Sequence, residues 1–267
     1  MAFGLIIIGD EILSGKRIDK HFSTVVGLLR ERGLQLAWTE LLGDDPARIT
    51  ATLQRTMATG DIVFSCGGIG ATPDDHTRQC AAAALGVELT LHPKAKAKIQ
   101  ERMHELALEA GKTAVLDTPD NLQRLKMGEF PQGADIIPNA YNKIPGFTVR
   151  GPGGGAHHFV PGFPVMATPM IEWVLDHHYA DLFNREVRSE LAVMLYETAE
   201  SLVTPLMEAI EAKYPLAKVF SLPSVGDART RRHIELGVKG DPQQVEAAFR
   251  MLLAGLDQLG AEYRQQA

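Results

Sequence analysis

The sequence predicts an α/β protein with a mostly parallel sheet, followed by a smaller α+β module. Two observations support this fold class. Up to about residue 180, short apolar runs alternate with amphipathic segments, the order that parallel strands joined by right-handed helical crossovers produce. Beyond that point the order becomes β-α-β-β-α. The chain of 267 residues is long enough for two domains, and we predict them at 1–182 and 183–267.

The first strands and helices are predicted from local signals. Phe3–Ile8 is apolar throughout, which is typical of a strand buried on both faces. Asp45 and Pro46 stand in the order of a helix cap and a first helical residue. The elements predicted in this part are a strand at 3–8, a helix at 19–32 that ends at Gly33, a strand at 34–42, a helix after Asp45 and a strand at 62–65.

The remaining elements have shorter patterns. The first domain continues with a strand at 87–91, a helix at 94–110, short strands near 134–137, 147–149 and 158–160, and a helix at 165–179. His157 and His158 are neighbours in a strand, so their rings should point to opposite faces and serve structure rather than one metal ion. The second domain reads as strands at 187–195, 218–222 and 233–238 with helices at 199–213 and 242–259.

A glycine-rich segment after the third strand is the most informative part of the chain. Gly67, Gly68 and Gly70 allow the backbone to approach a ligand and expose N–H groups before a helix that begins near Thr77, which favours phosphate. An acidic pair, Asp74-Asp75, would repel bare phosphate unless a divalent cation such as Mg²⁺ bridges the two. The alternative is structural, with one of the pair capping the helix. The segment is neither a P-loop nor a complete dinucleotide fingerprint.

Acidic pairs follow three consecutive strands of the predicted sheet. They are Asp10 and Glu11, Asp44 and Asp45, and Asp74 and Asp75. The carboxyl ends of parallel strands share one edge, where ligands bind, so these pairs should lie on one rim. A coincidence of helix caps is the alternative. Otherwise the rim suits a metal ion that orients a pyrophosphate and activates water.

Composition excludes several classes of function. The net charge of −6 and the pI near 5.9 disfavour nucleic acid as a partner. Cys66 and Cys80 lack a metal-type spacing and suit a reduced compartment. No apolar run reaches the length of a membrane span, and the first residues lack the basic flank of a signal peptide. We therefore expect a cytoplasmic protein without a membrane partner.

Several sequence blocks resemble a known family in their order along the chain. The resemblance is to the molybdopterin-binding superfamily, above all to the amino-terminal domain of CinA, with the MoaB/MogA proteins more distant, and it spans residues 1 to about 180. The blocks are Gly9-Asp10-Glu11-Ile12-Leu13-x-Gly15, Gly43-Asp44-Asp45, Gly67-Gly68-Ile69-Gly70-x-Thr72-x-Asp74-Asp75-x-Thr77, Pro131-x-Gly133-Ala134 with Asn139, Pro145-Gly146-Phe147, and Pro161-Gly162-x-Pro164.

The resemblance implies a three-layer α/β/α fold with a pocket for molybdopterin or an adenosine-type nucleotide. In the CinA branch it implies divalent-metal-dependent cleavage of ADP-ribose-like pyrophosphates, and in the MogA branch adenylylation of molybdopterin. A third possibility is a pterin- or nucleotide-binding protein without turnover. Met166 favours it, because related sequences usually have glutamate there, and Lys20-His21 and Asn142-Lys143 also depart from the family pattern. Lys20 and Lys143 are either phosphate contacts or solvated lysines.

The same resemblance assigns residues to roles. Asp45 and Asp75 are the expected catalytic residues, and Asp44 and Asp74 the expected ligands of Mg²⁺ or another divalent cation. The expected binding residues for the pterin or nucleotide are Gly9, Asp10, Glu11, Gly67, Gly68, Gly70, Thr72, Asn139, Pro161 and Gly162.

The second domain resembles the small KH-like module that follows this fold in CinA proteins. It lacks a Gly-x-x-Gly loop, and Arg229, Arg231 and Arg232 indicate a solvated hairpin rather than an RNA clamp. A small sheet with helices on one side leaves its other face to be covered. We therefore expect this module to serve assembly of a homo-oligomer or closure of the pocket.

Overall fold

A computed structural model describes residues 1–184, 189–226 and 230–265. The chain divides into two compact units, 1–184 and 185–267. No helix among the described residues is long and apolar enough to cross a membrane.

The first unit contains eight strands and seven helices among its described residues. In chain order they are β1 (Phe3–Ile8), α1 (Asp10–Leu13), α2 (His21–Glu31), β2 (Leu36–Leu42), α3 (Pro46–Met57), β3 (Ile62–Cys66), α4 (Thr77–Leu85), β4 (Leu89–Leu91), α5 (Pro93–Glu109), α6 (Pro119–Lys126), β5 (Glu129–Pro131), β6 (Asp135–Ile137), β7 (Gly146–Arg150), β8 (Ala156–Val160) and α7 (Pro164–His178), followed by a short 3-10 helix (Ala180–Leu182).

A six-stranded sheet forms the centre of this unit. Its strand order is β2-β1-β3-β8-β7-β6, with parallel pairing from β2 to β8 and antiparallel pairing of β8 with β7 and of β7 with β6. β4 and β5 form a separate antiparallel pair. The predicted fold class, a mostly parallel sheet in an α/β domain, is confirmed.

Helices cover both faces of the sheet, so the unit has three layers. Leu5 and Ile7 of β1 pack in one core with α2 and α7, whereas Ile6 and Ile8 pack in a second core with α3, α4 and α5. All six residues of β1 are buried. The apolar run is continuous because alternate residues of β1 point into the two different cores.

A tryptophan fixes the pairing of the first two strands. The indole of Trp38 lies over Gly4, where a Cβ atom would overlap the ring. The indole N–H donates to Asp61 Oδ2 over 3.1 Å, and Asp61 Oδ1 accepts the N–H of Ala2 over 2.9 Å. The pairing of β1 with β2 shifts by one residue between Phe3 and Gly4, next to this contact.

The adjacent histidines of β8 face opposite cores, as predicted. His157 Nε2 lies 2.9 Å from Thr56 Oγ1, whereas the ring nitrogens of His158 lie 2.8 Å from Thr148 Oγ1 and 2.7 Å from Tyr179 Oη. Burial lowers the pKa of His157 to about 4 and that of His158 to about 3. Both rings are neutral at pH 7 and act as buried hydrogen-bonding groups.

One predicted helix cap is wrong, and two of the described helices, α1 and α6, are absent from the predictions. The helix after the glycine-rich segment has His76 at its cap position, without a side-chain cap bond. Asp75 accepts hydrogen bonds from the N–H and the hydroxyl of Thr72 instead. Helix α6, which begins with the cap Thr118 and Pro119, was not predicted because it is short and mostly polar and buries no residue.

The second unit contains a four-stranded antiparallel sheet and two helices. Its described elements are β9 (Ser189–Tyr196), α8 (Glu200–Lys213), β10 (Ala217–Ser224), β11 (His233–Gly240), α9 (Pro242–Gln258) and β12 (Tyr263–Gln265), with strand order β10-β11-β9-β12. The predicted β-α-β-β-α order holds, with β12 added. The predicted start of the first strand, at Val187, lies outside the described residues.

The basic residues of the hairpin between β10 and β11 were expected to be solvated. Arg231 forms a bidentate pair with Glu262 at 2.8 and 2.9 Å, and its guanidinium lies over the ring of Tyr196. Arg232 is exposed, and Arg229 lies outside the described residues.

Candidate functional site

A cavity of about 420 Å³ lies at the carboxyl ends of the central strands. Its lining comes from the segments that follow β1, β2, β3 and β8, which is the edge where parallel sheets bind ligands. The loop between β6 and β7 and the start of α7 complete the walls. The lining residues are Ile8, Gly9, Glu11, Arg17, Asp44, the segment 67–72, Asp74, Asp75, Met127, Asn139, Asn142, Ile144, Pro145, the segment 161–163 and Met166.

The segment Gly67–Thr72, called the glycine turn below, needs its first two glycines for its own packing. Gly67 and Gly68 have φ angles of 110° and 67°, which side chains other than glycine rarely adopt. A Cβ atom would overlap the carbonyl oxygen of Ile8 at Gly67 and the hydroxyl of Thr77 at Gly68. The fold alone therefore requires these glycines, and evidence for a ligand has to come from the polar groups around them.

Thr77 holds the first two carbonyl groups of the glycine turn. Its hydroxyl donates to the carbonyl oxygen of Gly67 over 3.1 Å, and its N–H donates to that of Gly68 over 3.0 Å. Within the described residues, the N–H groups of Gly68 and Ile69 donate to no protein acceptor. These donors line the cavity and are available to a bound anion.

Carboxylates from three turns lie close together at this edge. The N–H of Asp10 donates to Asp44 Oδ2 over 2.9 Å, and the N–H of Asp44 donates to Asp10 Oδ1 over 3.2 Å. Burial raises the pKa of Asp44, and the negative charges of Asp10, Glu11 and Asp74 raise it further. The three acidic turns therefore converge on one cluster of like charges.

The acidic residues of the cavity do not form a complete metal site by themselves. They fit a metal ion that is bound jointly by protein carboxylates and by the phosphates of a ligand. Within the described parts of the chain, no three His, Cys, Asp or Glu side chains are arranged to hold a metal ion. Mg²⁺ usually keeps several waters and binds through one or two carboxylates together with substrate phosphates. A cation near Asp44 would also relieve the repulsion that raises its pKa. The roles of Asp44 and Asp74 as metal ligands stay predictions.

Comparison with known proteins places this site in a family. The model of a probable molybdopterin binding domain matches residues 4–180. The chain belongs to this family. A CinA-like protein of Anaeromyxobacter dehalogenans is 35% identical over 202 residues, which make up 75% of this chain and 46% of the relative. A CinA-like protein of another Anaeromyxobacter strain is 32% identical over 248 residues, 87% of this chain and 57% of the relative.

The chain spans about half the length of these curated relatives. Among solved structures, it is similar to the protein CinA, of unknown function, from Thermoplasma acidophilum. That similarity has a TM-score of 0.56 at 26% identity and covers 66% of this chain and 98% of the other. The predicted resemblance to CinA within the molybdopterin-binding superfamily is confirmed.

The two aspartates expected to be catalytic from the family motifs are not placed together. Asp45 Oδ1 accepts the N–H of Arg48 over 2.7 Å and caps α3, and its side chain lies outside the cavity, beside Arg48 and Arg55. Asp75 does line the cavity, with one oxygen engaged by Thr72. Asp44, not Asp45, is the residue of its pair that lines this cavity.

Other residues expected to bind ligand shape the walls of the cavity. The Asn139 amide donates to Asn142 Oδ1 over 2.8 Å and to the carbonyl of Ile144 over 3.0 Å, so it orders its loop. Gly162 contacts the glycine turn, because a Cβ there would lie 3.3 Å from the Cα of Gly67. Four more of these residues line the cavity: Gly9, Glu11, Thr72 and Pro161. Asp10 is not among the lining residues, and its carboxylate accepts the N–H of Asp44.

The departures from the family pattern have visible consequences. Asn142 Nδ2 lies 3.4 Å from the sulfur of Met166, so this wall of the cavity has a thioether where the resemblance predicts a glutamate. The ammonium of Lys143 pairs with Glu101 over 2.6 Å and with Glu105, and Lys143 is not among the lining residues of this cavity.

Arg17 is a charged cavity residue that was not among the predicted site residues. It follows the Gly15 block, lines the cavity, and forms no ion pair with any other described residue. A guanidinium without a carboxylate partner in a cavity is available to a phosphate. Its position next to Gly15-Lys16 was the signal in the sequence, but the loop has no periodicity that would show which way the side chain points.

Proposed function

We propose that the first unit binds a phosphorylated heterocycle, either molybdopterin or an adenosine-type nucleotide, and hydrolyses ADP-ribose-like pyrophosphates with the help of a divalent cation. The observation that supports this best is the combination of three surfaces in one cavity: free backbone donors, a carboxylate cluster and an apolar wall. The cavity volume of about 420 Å³ suits a small-molecule ligand.

The apolar wall supports binding of a flat ring. Ile69, Met127, Ile144, Phe163 and Met166 face the same cavity as the glycine turn. A pterin or an adenine can bury its faces against such side chains while its phosphate reaches the polar end. Arg17 would add a charge-assisted contact to that phosphate.

Hydrolysis would join the oxygen of a water molecule to one phosphorus atom of the anhydride. The bridging P–O bond breaks, and the bridging oxygen leaves with the other phosphate, so ADP-ribose and water give AMP and ribose 5-phosphate. Asp44 lines the cavity, and its carboxylate would accept the proton of the water. A bound Mg²⁺ would neutralise the phosphate charge and make the water more acidic.

A second candidate is a binding protein without turnover. The thioether of Met166, held by Asn142, supports it, because this side of the cavity lacks the carboxylate that related sequences usually have.

One experiment separates the two candidates. The full chain is incubated with ADP-ribose in MgCl₂ or in chelator, and AMP is measured by ³¹P NMR together with the melting temperature. The proposal expects AMP only with Mg²⁺, its loss in Asp44→Asn, and retention in the matched control Asp45→Asn.

Stabilisation by ligand without AMP in any metal buffer would support binding alone, because a ligand that binds only the folded state raises its stability. Transfer of AMP from ATP to molybdopterin in the same assay would assign adenylyltransferase activity instead. The site is refuted if ADP-ribose, FAD, ATP and molybdopterin all fail to stabilise the protein and none of them yields AMP.

A further inference from the structure

The loop between β6 and β7 is held by a buried asparagine. Asn139 Oδ1 accepts the N–H of Tyr141 over 3.0 Å, and the carbonyl oxygen of Asn139 accepts the N–H of Lys143 over 2.9 Å. Asn139 Nδ2 donates to the carbonyl oxygen of Ile144 over 3.0 Å and to Asn142 Oδ1 over 2.8 Å. Only 5% of Asn139 is exposed. Backbone groups therefore fix this side chain, and it in turn fixes Asn142.

The amide of Asn142 has one orientation. Its Oδ1 also accepts the N–H of Ile144 over 3.0 Å. Because a backbone N–H only donates, the side-chain atom that it meets is the oxygen, and the nitrogen Nδ2 points the other way. Nδ2 lies 3.4 Å from the sulfur of Met166, and among the described residues that sulfur is its only acceptor. A thioether is a weak acceptor, so this N–H donor is available to a stronger one.

This donor lies at the end of the cavity that suits a ring. Asn142 lines the cavity and contacts Ile144 and Met166, which both belong to the apolar wall. A ring that buries a face against this wall would bring its edge to Asn142 Nδ2. An exocyclic carbonyl on that edge would accept the N–H, whereas an exocyclic amino group would set a donor against a donor.

We propose that Asn142 is a specificity-determining residue that selects heterocycles with an exocyclic ring carbonyl over adenine. This inference rests on the proposed function, since it assumes that a heterocycle occupies this cavity, and it narrows the class of that ring. Asn142 departs from the family pattern, so the selection is a property of this chain. Two kinds of ligand carry such a carbonyl, the 6-oxopurine nucleotides and the pterins, and the test has an arm for each.

The test compares two nucleotides that differ at one edge of the ring. Inosine monophosphate has a carbonyl where adenosine monophosphate has an amino group, and neither has an anhydride bond that the protein would cleave. Both dissociation constants are measured by calorimetric titration of the full chain in MgCl₂. The wild type should bind inosine monophosphate about fivefold to tenfold more tightly, the lower part of the range for leaving a donor unpaired, because Asn142 is half-buried.

Asn142→Asp removes the donor and keeps the acceptor that Ile144 and Asn139 require. The added charge would weaken both nucleotides, so the measured quantity is the ratio of their dissociation constants, which should fall to about one or invert. Gln54→Glu is the control, because it adds the same charge at an exposed residue of α3 outside the lining of the cavity, and it should keep the wild-type ratio.

Met166→Leu separates the donor from the apolar wall. Leucine has a similar volume and no sulfur, so the wall stays apolar while Nδ2 loses its weak partner, and the preference for the carbonyl should be at least as large as in the wild type. If Asn142→Asp fails to fold, Asn142→Ala takes its place, since at this half-buried position water can accept the N–H of Ile144.

A second arm repeats the comparison with pterin and with the pteridine that has an amino group in place of its ring carbonyl. A preference for the carbonyl in the purine pair would assign a 6-oxopurine nucleotide, and a preference confined to the pteridine pair would assign a pterin. The proposal is overturned if neither pair shows the preference, if Asn142→Asp keeps it, or if Met166→Leu abolishes it, because packing against the wall would then explain it.

The outcomes also separate this inference from the proposed function. A preference that Asn142→Asp removes, in a protein that forms no AMP from ADP-ribose, would support the inference and count against hydrolysis. Mg²⁺-dependent cleavage of ADP-ribose without a preference in either pair would overturn the inference and leave the proposed function standing.

Discussion

Asp44→Asn should make the protein more stable in the absence of metal and less able to use metal. The carboxylate of Asp44 lies among Asp10, Glu11 and Asp74, and burial together with these charges raises its pKa above 3.8. When the pKa of a carboxyl is higher in the folded than in the unfolded state, the free energy of unfolding falls as the pH rises from the unfolded pKa through the folded pKa. At pH 7 this destabilisation is complete, and removal of the charge abolishes it.

The size of the effect is limited by solvent. Asp44 is half-buried, so the repulsion is screened and we expect a gain of up to about 1 kcal/mol. That corresponds to a rise of about 2–4 °C in Tm for a domain of this size. The asparagine oxygen can still accept the N–H of Asp10, so the turn should stay intact.

The assay is thermal unfolding in chelator at pH 7 and at pH 3, with Asp45→Asn as the control. Asparagine caps helices as well as aspartate does, so the control should be nearly neutral at pH 7. The gain from Asp44→Asn should shrink at pH 3, below the unfolded pKa, because the wild-type carboxyl is then protonated in both states. A lower Tm for Asp44→Asn than for the wild type at pH 7 in chelator would show that the acidic cluster is not strained, and the reasoning would fail.

Three further predictions follow from the structure. Asp75→Asn should keep the fold, since the amide oxygen can still accept from Thr72, but should reduce Mg²⁺-dependent AMP formation; full activity by ³¹P NMR would leave Asp75 a structural role only. Gly68→Ala and the control Gly111→Ala should each lose about 1–2 kcal/mol of unfolding free energy from the backbone alone, because Gly68 and Gly111 have similar φ angles of 67° and 66°. Gly68→Ala should lose more in denaturant titration, because its Cβ would overlap Thr77, whereas Gly111 has open space around it. Equal losses would refute the overlap with Thr77. Deletion of residues 185–267 should lower the oligomeric mass in light scattering while the remaining domain stays folded by circular dichroism, and an unchanged subunit number would remove the assembly role.

Most of the fold could be predicted because its signals are local and agree with one another. The apolar run of β1, the Asp45-Pro46 start of α3 and the alternation of strands with helices all indicate the same parallel sheet. Helix α6 could not be recognised in the same way, since it is only eight residues long, is mostly polar and buries no residue.

The site was predictable at the level of strand ends and less so at the level of side chains. The rule for parallel sheets anticipates that three acidic turns meet. Asp10 and Asp44 exchange hydrogen bonds, and Asp74 of the third turn lines the same cavity as Asp44. Asp45 caps α3, as its place before Pro46 predicts, so its side chain lies outside the cavity and Asp44 lines it. Arg78 sits in a helix start that looks solvated in sequence, so its burial needs the packing of α6 to be known.

The contact of Trp38 with Gly4 has a consequence for how the sheet finds its alignment. A strand buried on both faces carries little information in its polarity, because a shift by one residue exchanges one apolar core for another of similar character. The indole resolves this ambiguity by shape, since its ring fits only opposite a residue without a side chain and its N–H has to reach Asp61. Trp38 thus favours one register of β1 against β2. In that register the carboxyl ends of the two strands lie side by side, which brings Asp10 and Asp44 into contact.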